Sequence, residues 1–211
     1  MSRPLLVIGT ANRKKGRELA GLFAPLGLEL KTLADFPAAT GVVEDGETLA
    51  ENAARKATQQ ARHLGQWVLA DDSGLMVDAL GGEPGVASAR YSGPGATDES
   101  NNRLLLEKLA GIPPEKRTAR FVCHMALADP SGAIRAESEG ACRGRILAAP
   151  QGTGGFGYDP LFEIVEYHRT FGVLSPLVKA CLSHRARAAR QLVPRLVELI
   201  VAGEWETSRS K

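Results

Sequence analysis

The stretch that most constrains the fold is a pair of adjacent carboxylates that follows an apolar run. Trp67-Val68-Leu69-Ala70 predicts a short buried strand, and it passes directly into Asp71, Asp72, Ser73 and Gly74. Because side chains alternate along a strand, Asp71 and Asp72 should point in opposite directions where the strand ends. A carboxylate at the end of a central strand is a common place for a metal ligand or a base. The alternative is that the four polar residues simply form a turn.

The rest of the chain alternates between strand and helix patterns. The first part predicts strands at 5–8 and 28–33 and helices at 14–26 and 49–64, the last with a capping box formed by Thr48 and Glu51. The second part predicts a strand at 75–77, a helix from 97 or 98 to 109, a hairpin of 120–128 with 133–143, a strand at 161–165 and a helix at 179–200 that bends at Pro194. The hairpin is antiparallel, so we expect an α/β fold with a mixed central sheet flanked by helices.

The size and charge of the chain exclude several classes of protein. With 211 residues it suits one domain, which we assign to residues 1–204, followed by a frayed tail at 205–211. The net charge of +2 and the lack of a basic stripe argue against a nucleic-acid partner. No apolar run approaches membrane length, and the three cysteines are widely spaced. We therefore expect a soluble cytoplasmic protein.

The first candidate site is the loop Thr10-Ala11-Asn12-Arg13-Lys14-Lys15, which joins a predicted strand to the start of a helix. The free N–H groups of a helix N-terminus favour phosphate, and the basic side chains add positive charge. Three cations are unfavourable at the positive end of a helix dipole unless an anion joins them. An ordinary solvated loop is the alternative.

Two further clusters could complete a nucleotide site. Asp72 and Glu44 offer the hard oxygen ligands that Mg²⁺ prefers, although the sequence does not show that they meet. The glycine-rich stretch 154–159 offers Phe156 as a flat face for a base and Asp159 as an acceptor, or it is simply a hairpin with a core phenylalanine. On the last predicted helix, Lys179 and Ser183 are four residues apart on one face, next to His184 and Arg185.

Together these segments resemble the inosine triphosphate pyrophosphatases, which hydrolyse non-standard purine nucleoside triphosphates. The resemblance extends from Val7 to about Leu196, and the order and spacing of its motifs are specific. Its motifs are Thr10-Ala11-Asn12-Arg13-Lys14-Lys15, Glu51-Asn52-Ala53, Ala70-Asp71-Asp72-Ser73-Gly74-Leu75, Ala79-Leu80-Gly81-Gly82, Pro84-Gly85, Ser88-Ala89-Arg90-Tyr91-Ser92-Gly93, Gly152-Thr153-Gly154-Gly155-Phe156-Gly157-Tyr158-Asp159-Pro160 and Ser183-His184-Arg185.

The resemblance implies a hydrolase that uses Mg²⁺ to convert ITP, dITP or XTP to the nucleoside monophosphate and pyrophosphate, and so removes them from the nucleotide pool. It also implies two lobes with a nucleotide cleft between them and a homodimer. By motif position, Asp72 would be the general base and a metal ligand, with Glu44 as a second ligand. Substrate would be bound by Thr10, Ala11, Asn12, Arg13, Lys14, Lys15, Ser73, Phe156, Gly157, Tyr158, Asp159, Lys179, His184 and Arg185.

Two positions depart from the family pattern. Ala11 stands where the loop usually has glycine, so the loop must avoid a positive φ there. Val43-Glu44 stands where the family has an acidic pair, so one acid is missing.

Two other functions stay open: a pyrophosphatase acting on pyrimidine or modified nucleotides, and a nucleotide-binding regulator without turnover. The presence of Asp72, Lys15 and Asp159 favours catalysis over the regulator.

Overall fold

A computed structural model describes residues 3–205. Its strands are β1 (Leu5–Ile8), β2 (Glu29–Thr32), β3 (Val68–Val77), β4 (Thr118–Ala128), β5 (Ile134–Ile146), β6 (Phe162–Ile164) and β7 (Arg169–Thr170). Its α-helices are α1 (Arg13–Phe23), α2 (Leu49–Leu64), α3 (Asp98–Lys108), α4 (Pro176–Leu182) and α5 (His184–Val201). The sheet order is β2-β1-β3-β4-β5-β6-β7, with β1 parallel to β2 and β3, and β6 antiparallel to β5 and β7. The predicted α/β fold with a mixed sheet is confirmed.

The described chain divides into two compact units. The first unit contains residues 3–72, 123–140 and 185–205, and the second contains 73–122 and 141–184. The unit boundary falls within β3, β4 and β5, so these three strands contribute residues to both units. The assignment of 1–204 to one domain with two lobes stays a prediction.

The first unit has an apolar core on each side of its parallel strands. One cluster packs α1 and α5 against residues such as Leu6, Leu69 and Met125. The other packs the small side chains of α2, spaced four residues apart at Ala53, Ala57 and Ala61, against Val7, Val68 and Ala70. Methyl side chains allow the helix to lie close to the sheet, which brings the polar residues on the edge of the same helix face near the strand.

The second unit has a core rich in aromatic side chains. Phe121, Phe162 and Phe171 contact one another, with ring centroids 4.6 to 6.5 Å apart. Leu105 and Leu109, one from α3 and one just after it, complete this cluster from the helical side. Aromatic rings bury a large area for few side chains, so this small unit can hold a stable core.

The carboxylates do not lie at a strand end, and this part of the prediction is wrong. β3 continues from Val68 to Val77, so Asp71 and Asp72 lie in its middle and the predicted strand at 75–77 is its second half. The continuation is paired by a bridge between Met76 and Pro84, and the Val77 N–H donates to Glu83 O at 3.0 Å. A Cβ on Gly74 would lie 2.3 Å from Gly85 O, so the absence of a side chain permits this close approach.

The predicted final helix is two helices. Ser183 has an extended backbone, with φ −64° and ψ 157°, and separates α4 from α5. The prediction that Lys179 and Ser183 share one helix face is therefore wrong. Serine is strongly favoured immediately before a helix, because its hydroxyl can accept from a free backbone N–H. Pro194, where a bend or restart was predicted, lies inside the continuous α5.

Smaller differences also have local causes. α1 ends at Phe23 and a 3₁₀ turn follows at Ala24–Leu26, because Pro25 has no N–H to continue the helix. Thr48 caps α2 as predicted, and its hydroxyl accepts from Glu51 N at 3.1 Å. The Glu51 carboxylate accepts from Glu47 N and not from Thr48 N, so the predicted capping box is not completed.

Of the predicted frayed tail, residues 206–211 lie outside the described chain, whereas Trp205 stacks on Trp67 with centroids 4.2 Å apart. Within residues 3–205, no helix is both long and apolar enough to cross a bilayer.

Candidate functional site

The loop before α1 is held by its own polar side chains. Asn12 is the N-cap of α1, and its Oδ1 accepts from the backbone N–H groups of Lys14 and Lys15 at 2.9 and 3.1 Å. Thr10 Oγ1 accepts from Asn12 N at 3.2 Å. Ala11 is not among the residues with positive φ, so alanine is compatible with this loop. The residues from Ala11 to Lys14 are exposed, whereas Lys15 is half-buried.

Gly9, which sequence reasoning missed, positions this loop against β3. A Cβ there would lie 2.7 Å from the Val68 side chain, and Gly9 N donates to Leu69 O at 2.7 Å. The close approach of the two strands brings the start of α1 near Asp71. The signal in the sequence was a glycine immediately after a buried strand.

Asp71 is the buried centre of the first group of charges. Its Oδ2 accepts from Arg185 Nε at 3.0 Å and lies 3.7 Å from Lys15 Nζ. Arg185 Nη1 also donates to Glu18 at 2.6 Å, and the Arg185 side chain is 2% exposed. Burial alone would raise the pKa of Asp71, but the nearby Lys15, Arg185 and Lys56 lower it well below its ordinary value. Asp71 is therefore a fixed negative charge that holds two cations.

Asp72 points to the other face and meets α2. Its Oδ1 accepts from Lys56 Nζ at 2.9 Å, and its Oδ2 accepts from Asn52 Nδ2 at 3.3 Å. Lys56 Nζ also donates to Glu44 at 2.9 Å. The opposite directions predicted for Asp71 and Asp72 are confirmed by these separate sets of partners, and Glu44 and Asp72 meet through one ammonium group.

The two carboxylates at Lys56 titrate differently. Burial raises the pKa of Asp72 above its ordinary value, although Lys56 and Lys15 oppose the change. For Glu44, which is more exposed, burial is outweighed by Lys56 and Lys15, and its pKa is lowered. Burial would lower the pKa of Lys56, but Asp72, Asp71 and Glu44 raise it. Lys56 and Lys15 thus favour the charged form of Asp72, against the effect of its burial.

The donor set at this position fits Mg²⁺ better than a metal that needs a complete protein cage. Within residues 3–205 no cluster of three or more histidine, cysteine, aspartate or glutamate side chains is arranged to hold a metal ion. Glu44 and Asp72 supply two hard oxygen ligands close together. Mg²⁺ is typically held by one or two carboxylates, with water and phosphate oxygens as the other ligands. A site with two carboxylates matches this pattern.

The predicted base-binding residues form a second group, in the second unit. Asp159 is buried, and its Oδ2 accepts from Phe156 N at 2.8 Å and from Lys179 Nζ at 2.6 Å. Lys179 Nζ lies 4.5 Å from the centroid of the Phe156 ring. Gly155 has φ +75° and passes so close that a Cβ would lie 2.0 Å from Asp159 Oδ2. The loop therefore depends on Asp159 for its shape.

The remaining predicted residues of the second unit are Gly157, Tyr158, His184 and Ser73. Gly157 O accepts from Asn102 Nδ2 at 3.0 Å, which ties the loop to α3. Tyr158 OH donates to Ser88 O at 2.9 Å. The His184 ring is buried and stacks on Phe121, with centroids 4.8 Å apart. Ser73 is half-buried and follows Asp72 directly in β3.

The predicted residues therefore assemble as two groups. Thr10 to Lys15, Glu44, Asp72 and Arg185 lie in the first unit, and Ser73, Phe156 to Asp159, Lys179 and His184 lie in the second. The cleft that would join them stays a prediction.

Sequence reasoning missed Lys56, although a signal was present. Asn52, Lys56 and Gln60 recur every four residues beside the alanines of α2, so they share a helix face, and the structure shows that all three are buried.

The family model described as Ham1 family matches residues 6–195. A dITP/XTP pyrophosphatase from Rhodopirellula baltica is 53% identical over 195 residues, which cover 92% of this chain and 94% of that protein. Another from Geobacillus kaustophilus is 50% identical over 202 residues, with coverage of 96% and 98%.

Solved structures agree with these relatives. The structure of a HAM1 protein from Coxiella burnetii has a TM-score of 0.83 and 36% identity, and covers 94% of this chain and 100% of its own. The crystal structure of a nucleoside-triphosphatase / dITP/XTP pyrophosphatase from Mycobacterium abscessus has a TM-score of 0.72 and 43% identity, with coverage of 90% and 99%.

The fold and its charged strand define an α/β protein with acidic and basic side chains collected around the middle of β3. Since the family match covers most of the chain, this protein belongs to the Ham1 family. The resemblance found in the sequence is thereby confirmed.

Proposed function

We propose that this protein hydrolyses the non-standard purine nucleoside triphosphates ITP, dITP and XTP to the nucleoside monophosphate and pyrophosphate. The observation that carries the proposal is the cluster of Asp72, Lys56 and Glu44 in a chain about half identical, over nearly its whole length, to proteins named dITP/XTP pyrophosphatases. A buried acid surrounded by cations suits a reaction in which water attacks a polyanion.

Asp72 is the residue that orients the attacking water. A carboxylate oxygen of Asp72 accepts a water proton while the water oxygen attacks the α-phosphorus, and the bond from that phosphorus to the bridging oxygen of pyrophosphate breaks. The pyrophosphate leaves with the bridging electron pair. Lys15, with the exposed Arg13 and Lys14 beside it, stabilises the negative charge of the phosphates.

Glu44 and Asp72 are the residues that would hold Mg²⁺. When bound, the ion neutralises phosphate charge and helps the leaving group depart. This assignment is supported by the shared position of the two carboxylates around Lys56 Nζ. Loss of Glu44 should weaken metal binding more than it weakens the fold, because Glu44 is the more exposed of the pair.

The loop from Phe156 to Asp159 would hold the base. The Phe156 ring offers a face for stacking, Lys179 supplies a polar group beside it, and His184, which stacks on Phe121, belongs to the same proposed pocket by motif position. Hypoxanthine and xanthine carry a 6-oxo acceptor, whereas adenine carries a 6-amino donor that would leave the donors of the protein unpaired. Such a mismatch of buried polar groups can discriminate strongly. Arg185 is paired to Asp71 and Glu18. Its effect on base binding would therefore be indirect, because it fixes the position of neighbouring residues.

The nucleotide cleft between two lobes, the homodimer and the cytoplasmic location are parts of the same proposal. The first two are supported by resemblance to the family, and the last by the wide spacing of the three cysteines, of which two are buried. Gel filtration with light scattering tests the dimer. A single species at the mass of one chain would remove that part of the proposal.

The test of the activity is pyrophosphate release from ITP, dITP, XTP, GTP, ATP, dTTP and UTP with Mg²⁺. We expect turnover of the first three and little of the others. Preference for dTTP or UTP would instead support a pyrimidine pyrophosphatase, and nucleotide binding without release would support a regulator.

The catalytic role of Asp72 needs a matched control. Asp72→Asn should lower kcat by about a thousandfold or more, on the scale of losing one central group of an active site. Asp78→Asn changes an exposed aspartate just after β3, which pairs with Arg120, and should leave kcat unchanged. Full activity of the Asp72 variant would remove the assigned role.

A further inference from the structure

Lys56 occupies the position between the two carboxylates that would hold a metal. Its Nζ is 2.9 Å from Glu44 Oε2 and 2.9 Å from Asp72 Oδ1, and its side chain is only 10% exposed. Asn52 donates to the other oxygen of Asp72 at 3.3 Å. The Lys56 ammonium group is thus already paired with the two carboxylate oxygens that would bind a divalent cation.

We propose that the Lys56 ammonium is a resident counter-ion that competes with the divalent cation for Glu44 and Asp72. The metal binds these oxygens only as Lys56 leaves them, and the released ammonium then pairs with a phosphate group of the substrate. The inference rests on the proposed function for the identity of the metal site, and it adds an exchange of cations at that site.

The distances explain why the two cations exclude each other. Mg²⁺ binds oxygen at about 2.0–2.1 Å and holds its ligands in nearly ideal octahedral geometry. The ammonium nitrogen lies within hydrogen-bond distance of both oxygens and is nearly buried, so a metal bound to the same pair would face a positive charge at very short range. Lysine can move away because its charge is carried on a flexible four-carbon stem.

The surrounding charges explain why the exchange would need a polyphosphate. Ion pairs of the first unit join Glu18, Asp71, Asp72 and Glu44 to Lys15, Lys56 and Arg185, so most of their negative charge is already compensated. A divalent cation alone would leave this group with excess positive charge. A triphosphate brings the compensating negative charge, so metal and nucleotide should bind together more strongly than either does alone.

The experiment measures binding of Mn²⁺, added as its chloride without nucleotide, by isothermal titration calorimetry on the full chain. Lys56→Met and Lys56→Gln should bind Mn²⁺ about ten- to a hundredfold more tightly than the unmodified protein, on the scale of other changes next to metal ligands. The glutamine variant keeps a donor for the carboxylates in case the methionine variant does not fold. Lys31→Met removes a partly exposed lysine of β2 that is paired with Glu29, and it should leave the dissociation constant unchanged.

Each outcome decides the proposal. Equal or weaker Mn²⁺ binding by the Lys56 variants overturns it, as does a Glu44→Gln variant that binds Mn²⁺ as tightly as the unmodified protein. If the Lys56 variants bind more tightly but the protein does not hydrolyse ITP, the cation exchange stands and the proposed function fails. If ITP is hydrolysed but the Lys56 variants bind no more tightly, only the exchange is wrong.

Discussion

Arg185 Nε donates to Asp71 Oδ2 at 3.0 Å, and both side chains are almost completely buried. The same guanidinium donates to Glu18 at 2.6 Å, so it links α5, β3 and α1 within the first unit. Lys15 Nζ lies 3.7 Å from the same oxygen of Asp71. One carboxylate therefore fixes two cations that belong to segments predicted to bind substrate.

Removal of the Arg185 charge should destabilise the protein strongly. Arg185→Met leaves the buried Asp71 carboxylate without one of its cations, and breaking a buried pair in this way costs about 3–5 kcal/mol. Urea unfolding measures the change. Arg195→Met is the control, because Arg195 is exposed and pairs with Glu198 in the same helix, where an ion pair contributes about 0.5 kcal/mol or less. Equal midpoints for the two variants would contradict the prediction.

The depressed pKa of Asp71 gives a signature in the pH dependence of stability. Its charge stabilises the folded state fully above the ordinary aspartate pKa of about 3.9, and this contribution is lost as the pH falls toward the lower folded value. Below about pH 4 this one group should lower the free energy of unfolding by up to about 1.4 kcal/mol per pH unit.

Asp71→Asn isolates that contribution. The variant should be less stable at pH 7, and the difference from the unmodified protein should shrink between pH 5 and pH 3, because the variant lacks the titrating group. Urea unfolding of both proteins across this range measures the difference. A constant difference would show that the pKa of Asp71 is not shifted by folding, and a difference that grows as the pH falls would show that its pKa is raised; either result would contradict the prediction.

Local patterns were enough to predict much of the fold. The strand at Leu5–Ile8 and the helices at Leu49–Leu64 and Asp98–Lys108 have caps and periodicity that are complete within their own segments. The continuation of β3 past Asp72 depends on a chain that returns eleven residues later to place Gly85 against Gly74. No local pattern contains that contact, so the sequence favoured a strand end.

The residues of the candidate site likewise divide into those that a local sequence pattern indicates and those whose role depends on distant residues. Asp72 and the loop from Thr10 to Lys15 stand out because polar residues follow buried strands. Lys56 does not, since it lies in the middle of a helix and its role depends on Asp72, which is sixteen residues away in sequence. The break at Ser183 was missed because the apolar pattern continues across it, although a serine is a residue type favoured immediately before a helix.

Lys179 should be important for binding the base, because it contacts both Asp159 and the Phe156 ring of the proposed base pocket. Its Nζ pairs with Asp159 and lies 4.5 Å from the centre of the Phe156 ring. Lys179→Met should lower kcat/KM for dITP by about ten- to a hundredfold, the value of one buried hydrogen bond to a charged group.

The second unit offers a matched control for this variant. Lys108 lies 4.8 Å from the centre of the Tyr91 ring and pairs with Glu83, but this arrangement is exposed. Lys108→Met should leave kcat/KM for dITP close to that of the unmodified protein. Similar losses in both variants would show that the effect of Lys179 is not specific to the proposed pocket.

Two glycine substitutions test whether β3 is continuous. Gly74→Ala places a Cβ 2.3 Å from Gly85 O, and since the backbone fixes the positions of both atoms the strand or the loop must move. We expect a loss of about 1–3 kcal/mol, measured by thermal or urea unfolding, together with a fall in activity because Asp72 is two residues away. Gly21→Ala lies inside α1 with no atom within 4 Å, and should stabilise the protein by about 0.5–1 kcal/mol. If Asp72 and Gly74 instead belonged to an open turn, Gly74→Ala would be as harmless as Gly21→Ala.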